Sequence, residues 1–271
     1  MKPMTGKTWL QHTHLDKLYG YLPGMADALP TIFGLSRDEY AEVIAEYDAR
    51  AGEAAEALLA DREFAARLAA LPVPAGRTIL AIGDSITDDL QSWAEILRHL
   101  LRPRGVRVVN GGLSAHTTAM LLRRWPATLA AIRPDWVICA LGGNDVTRIG
   151  PEAAKPQVSL SESVANLREL RRIGGAVETW VWLTPVPVRE ERVSATPAFG
   201  FSQVGWRNAD IVALAGEVLG FPEPAVDLTA AFGVPARSDL QGEDGVHPSL
   251  DGQMAIVRAL VERLTEHRPR A

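Results

Sequence analysis

Four short segments of this 271-residue chain combine small and polar residues that can handle a proton or a developing negative charge. Gly83-Asp84-Ser85-Ile86-Thr87-Asp88-Asp89 follows an apolar run. A serine in a strand-to-helix turn lies near a helix N-terminus, where free N–H groups and the dipole favour negative charge. The same turn needs a cap, and Asp84, Ser85 or Thr87 fits that plainer role equally well. Leu141-Gly142-Gly143-Asn144-Asp145 offers glycines that let backbone approach a ligand, and an Asn144 amide able to meet an oxyanion. Turn chemistry alone also accounts for a Gly-Asn segment. Asn110-Gly111-Gly112-Leu113-Ser114-Ala115-His116 is glycine-rich in the same way. In Asp244-Gly245-Val246-His247-Pro248 a carboxylate stands three residues before an imidazole, close enough in a turn to hold it in one tautomer. No GxxxxGK[ST] phosphate loop and no GxSxG nucleophile elbow occurs.

The elements that position these segments are legible in the apolar pattern. Runs at 78–82, 106–110, 135–141, 178–183 and 225–228 alternate with helical periods near 89–101, 117–131, 160–173, 203–219 and 250–265. The runs are continuous rather than alternating, as in parallel strands buried on both faces. Strand–helix alternation of this kind predicts an α/β fold, with ligands at the carboxyl ends of the strands. Upstream, residues 36–70 are rich in Ala, Glu and Leu and open with the capping box Ser36-Arg37-Asp38-Glu39. Gly52 is expected to interrupt this helix, and the prolines of 71–76 to stop it.

In order, GDSI (83–86), VVNGGLSAHTT (108–118), GGND (142–145) and DGVHP (244–248) resemble the four sequence blocks of the SGNH, or GDSL-type, hydrolase and esterase family. The resemblance runs from about residue 77 to the end. It implies a three-layer α/β/α domain over 77–271 with a mostly parallel, flavodoxin-like sheet of about five strands, preceded by an N-terminal helical extension, 1–76. By position it implies Ser85 as nucleophile, His247 as general base and Asp244 as its orienting acid. The oxyanion hole would be the Ser85 N–H, a second-block N–H and the Asn144 side chain. The second-block glycine of the family aligns with Ala115, which keeps the N–H only if the local φ tolerates a Cβ; Gly112 is the substitute donor. Asp84, Asn110, Gly143 and Asp145 read as turn-fixing neighbours of these groups. The implied reaction is serine hydrolysis of carboxylic esters through an acyl-enzyme, with no cofactor and no metal. Acyl transfer or thioester cleavage on the same fold, and a non-catalytic binding protein, are the alternatives.

Composition narrows the partners. A net charge of −5 gives no funnel for nucleic acid. No apolar run is long enough to span a bilayer, and the first twenty residues lack the apolar core of a secretory signal. The expectation is a cytoplasmic protein with a small-molecule ester substrate. The single Cys139, inside VICAL, excludes an intramolecular disulfide and reads as core. Leu58, Leu59, Phe64, Leu68 and Leu71 are too many apolar side chains for a solvated helix, so the extension is expected to pack on the domain, cover the pocket or make a homo-oligomer. His12-Thr13-His14-Leu15-Asp16 has a metal-like spacing without a further ligand. His99 and His267 read as solvated, His116 as an exposed loop residue, and Trp180 and Trp182 as core. Residues 184–202 read as an irregular loop overhanging the catalytic edge: a lid, or a mobile excursion.

Overall fold

The computed structural model describes residues 6–266. Strands β1 (Thr78–Gly83), β2 (Arg107–Asn110), β3 (Trp136–Ala140), β6 (Thr179–Leu183) and β8 (Ala225–Val226) form one sheet in the order β2-β1-β3-β6-β8. Every pairing in it is parallel. This is the flavodoxin-like order, with its switch point between β1 and β3, where the chain turns from one side of the sheet to the other. The register aligns Gly83 with Ala140, Ala140 with Leu183, and Leu183 with Val226. Four strands therefore end on one line, and the residues that follow them share one rim.

Helices cover both faces. Before β1 come α1 (Gly6–His12), α2 (Asp16–Tyr19), α3 (Met25–Ile32), α4 (Arg37–Ala60) and α5 (Arg62–Ala69). After it come α6 (Ser85–Asp88), α7 (Trp93–Leu101), α8 (Thr118–Ile132), α9 (Leu160–Ile173), α10 (Glu190–Ala195), α11 (Pro197–Ser202), α12 (Asn208–Leu219), α13 (Leu228–Phe232) and α14 (Leu250–Thr265). Ile79 and Ala81 of β1 face one core, with Leu58, Phe64, Leu97 and Val257. Leu80 and Ile82 face the other, with Trp125, Cys139, Trp180 and Trp182. Burial on both faces is why the strands read as unbroken apolar runs. None of the described helices is long and apolar enough to cross a membrane.

Several expectations need correction. Gly52 does not interrupt α4; the break falls at Asp61, whose carboxylate caps α5 by accepting from the Glu63 and Phe64 N–H groups. Gly52 lies beside His99, whose ring a Cβ there would meet at 3.4 Å, an ordinary contact. His99 is therefore packed rather than solvated, with Nε2 at 3.0 Å from Asp48. His116 is half-buried, not exposed. Residues 184–202 are not structureless, since α10 and α11 lie within them. A second, antiparallel sheet of β4 (Arg148–Ile149), β5 (Lys155–Pro156) and β7 (Val204–Gly205) went unpredicted, because two-residue strands carry no periodicity. His267 lies outside the described residues.

The α4–α5 pair buries Leu58, Phe64 and Leu68 in the same core as α7 and α14. Leu58→Ala should cost about 2–5 kcal/mol in urea unfolding, within one cooperative transition seen by both circular dichroism and Trp fluorescence. Two resolved transitions, with only the earlier one shifted, would mean that these helices fold as a separate unit.

Candidate active site

The first site segment is built around a helix of one turn. Asp84 is its cap, accepting the Ile86 N–H at 3.1 Å, so the capping role falls to Asp84 and the Ser85 hydroxyl is left for other partners. Ser85 is the first helical residue, and its N–H has no intrahelical acceptor. Burial pushes the Asp84 carboxyl up to about 6.

The last segment brings its imidazole to this turn. Ser85 Oγ lies 2.9 Å from His247 Nε2, and His247 Nδ1 lies 2.6 Å from Asp244 Oδ2. The other Asp244 oxygen accepts the backbone N–H groups of Val246 and His247, both at 2.9 Å. Burial opposes charge on Asp244, but the His247 hydrogen bond and charge, with those two N–H groups, bring it down to about 2. Burial likewise opposes charge on His247. The hydrogen bond and charge of Asp244, with the charges of Asp89 and Asp84, outweigh it and hold His247 above the ordinary imidazole value. Such a line can pass the hydroxyl proton to Nε2 while the carboxylate fixes the ring.

The middle segments complete the rim. Asn144 follows β3, with its amide donating to His116 O at 3.2 Å and a second N–H left over. Gly143 O accepts Trp206 Nε1 at 2.9 Å, which fixes this loop from outside. Asp145 is buried and pins the start of α8, accepting Thr118 N–H at 2.9 Å and the hydroxyls of Thr118 and Ser163 at 2.5 and 2.9 Å. Asn110 donates to Thr87 O at 2.7 Å and to Glu95 at 2.9 Å. Its carbonyl accepts the Gly112 N–H at 3.0 Å. Gly112 is thereby removed as a substitute oxyanion donor. Its lack of a side chain serves packing, since a Cβ would stand 2.6 Å from Asp88 N and 2.8 Å from Thr87 C. Ala115 stands at φ 62°, the left-handed region that favours glycine. Ser114 N–H goes to Asp88 and His116 N–H to Leu113 O, and among the described residues the Ala115 N–H between them has no protein acceptor.

Other participants were not legible as such. Segment 11–17 lies on the rim: His14 Nδ1 and Lys17 Nζ reach Asp88 Oδ1 at 2.7 and 2.6 Å, and the His12 ring stacks on His247. The two histidines thus have different partners, and among the described residues no group of three His, Cys, Asp or Glu side chains could hold a metal. Residues 184–202 brace the loop that carries Asp244 and His247. Arg189 N–H donates to Gly245 O at 2.8 Å, and the Arg192 guanidinium to Gln241 O and Gly242 O at 2.9 and 3.0 Å. A cavity of about 40 Å³ lies against Ser85 and Asn144, walled by Ile86, Thr184, Pro185, Val188, Trp206 and Val246.

A parallel sheet that gathers Ser85, Asn144 and an Asp–His pair on one rim is the architecture of a class of ester hydrolases. Residues 81–255 match the GDSL-like lipase/acylhydrolase family, and the chain belongs to that family of carboxylic ester hydrolases. It is 30% identical over 190 residues to the esterase TesA of Pseudomonas aeruginosa, covering 68% of this chain and 85% of the relative. Identity to an acetylxylan esterase of Geobacillus stearothermophilus is 28% over 218 residues, 72% of this chain and 96% of the other. The crystal structure of Axe2, an acetylxylan esterase from the same organism, superposes with a TM-score of 0.53 at 26% identity, covering 71% of this chain and 95% of Axe2.

Gly112→Ala and Ala115→Gly should behave oppositely. The first drives a methyl into the α6 backbone and should destabilise by about 1–3 kcal/mol with loss of esterase activity. The second relaxes a left-handed alanine and should fold and remain active. Melting curves and p-nitrophenyl acetate turnover check both, and an unperturbed Gly112→Ala protein would contradict the packing argument.

Proposed function

We propose that this protein hydrolyses small carboxylic esters through an acyl-enzyme on Ser85. The observation that carries this reading is the unbroken line from Ser85 Oγ through His247 to Asp244. Ser85 Oγ attacks the ester carbonyl while His247 Nε2 takes its proton, and Asp244 stabilises the imidazolium without itself being protonated. The Ser85 and Ala115 N–H groups and the Asn144 amide receive the oxyanion. His247 then gives the proton to the leaving alcohol, and a water activated by the same nitrogen releases the acid. The cavity beside Ser85 has room for roughly two or three heavy atoms, which favours short acyl groups. Similarity to an acetylxylan esterase supports the same preference.

A serine-directed phosphonate should label Ser85, and Ser85→Ala should abolish hydrolysis of p-nitrophenyl acetate. An adduct mapped by mass spectrometry to another serine would refute the assignment. Among p-nitrophenyl esters, acetate and propionate should exceed octanoate in kcat/KM. Asn144→Ala should lower kcat by about 100–1000-fold with little change in KM.

The pH profile follows from the charges around His247. The neutral ring is the working base, so kcat/KM falls as pH drops through its pKa, with a midpoint above the ordinary 6.5. Asp244→Asn removes the main raising influence and should move that midpoint to lower pH while cutting kcat by about 10⁴-fold. An acid limb that stays put in Asp244→Asn would mean that another group controls it.

A further inference from the structure

Helix α1 lies outside the 81–255 family match, yet its last residue touches the site. The His12 and His247 rings stack with centroids 4.8 Å apart and planes 25° from parallel. We propose that His12 is a positioning residue for His247: its ring is the aromatic face against which the base is held and against which the imidazolium is stabilised. This rests on the reading of His247 as the general base.

The stack is held from several sides. His12 O accepts the Ser114 hydroxyl, and Gln11 O accepts the Leu90 N–H at 3.0 Å. The Gln11 amide donates to Asp89 at 3.0 Å and accepts the Tyr47 hydroxyl at 3.1 Å. Two residues on, His14 is bonded to Asp88, and Lys17 donates to Asp88 and to Gly112 O at 3.1 Å. The His12 backbone is therefore tied to the two segments that surround Ser85. His247 has one ring nitrogen on Asp244 and the other on Ser85, which fixes it in its plane. The stack is a contact that resists tilting out of that plane.

The charges agree with this role. The groups facing His12 are His247 and Asp244 from the 242–248 loop, Asp88 from the end of α6, Asp89 just after it with Oδ2 3.6 Å from His12 Nδ1, and neighbouring His14. Burial, followed by repulsion from His247, brings His12 down to about 3. At neutral pH it is uncharged, so it does not repel the imidazolium that forms when His247 takes the serine proton. Its π face attracts that cation. The attraction is stronger once His247 is charged, so it lowers the barrier rather than tightening substrate binding, and it belongs in kcat.

The test compares His12→Phe with His12→Leu and His12→Met on the full-length chain, using p-nitrophenyl acetate. All three fill similar space, but only Phe keeps an aromatic face. The Phe variant should retain kcat within about threefold, and the Leu and Met variants should lose about 10-fold in kcat at nearly constant KM. Melting temperatures establish which variants are folded, and either Leu or Met suffices for the comparison. Aliphatic variants as fast as Phe would reduce His12 to packing and overturn the proposal, as would a Phe variant as slow as Leu. Ser85→Ala and His247→Ala run alongside: if these retain activity, the reading of the base itself fails, whatever His12 does.

Discussion

Helix α6 must offer a serine hydroxyl that no neighbouring backbone group claims. Four residues cannot hold a helix on their own, because nucleation is unfavourable. Each residue around Ser85 is therefore fixed from elsewhere in the fold. Asp84 caps the turn, Gln253 donates to Ile86 O at 3.2 Å, and Trp93 Nε1 donates to Thr87 Oγ1 at 3.1 Å. Asn110 holds Thr87 O, and Asp88 takes His14, Lys17 and Ser114. With the other polar side chains of the turn committed, the Ser85 hydroxyl is left to His247. The glycine at 112 belongs to the same arrangement, since the second loop must press directly on the α6 backbone.

The second half of the site comes from a loop 162 residues away in sequence, so its placement depends on tertiary packing. Gly242 N–H donates to His247 O at 2.8 Å, and Gln241 pairs with Pro248 across an isolated bridge. The Gln241 amide donates to Pro187 O at 2.5 Å, and Arg189 and Arg192 reach the loop backbone from α10 and the residue before it. The loop carrying both Asp244 and His247 is thus clamped from β6's exit. The long connection after β6, expected as a lid or a mobile excursion, braces this loop.

The sheet was legible because burial on both faces leaves continuous apolar runs, and because glycine, asparagine and aspartate gather where strands end. Ser85, Asn144, Asp244 and His247 were legible because four short blocks occur in order. What stayed hidden depended on coordinates. Ala115 in place of a glycine says nothing of its φ, and Gly112 and Ala115 look interchangeable as donors until the Asn110 carbonyl is seen to take the Gly112 N–H. His12 stood in a segment with metal-like spacing, but nothing local links α1 to a histidine 235 positions later. The signal available was negative: two histidines and a lysine in segment 11–17, with no metal-holding group among the described residues.

The charge balance at the rim joins the family core to the helices before it. Asp84, Asp88 and Asp89 crowd α6, and Asp244 lies across the site. Carboxylates in that cluster favour the charged form of His247, Asp89 and Asp84 adding to the pull of Asp244. Each is handled differently. Asp244 is engaged by the imidazole itself, and Asp84 is buried against the turn it caps. Asp89 accepts the Gln11 amide and the Gln91 N–H, while burial raises it to about 6. Burial would also raise Asp88, but His14 and Lys17 outweigh it and keep the carboxylate charged and paired. Three of the side chains that set this balance, Gln11, His14 and Lys17, come from the segment that also carries His12. The residues before β1 thus supply Lys17, the His14 ring and the Gln11 amide to the acidic side of α6.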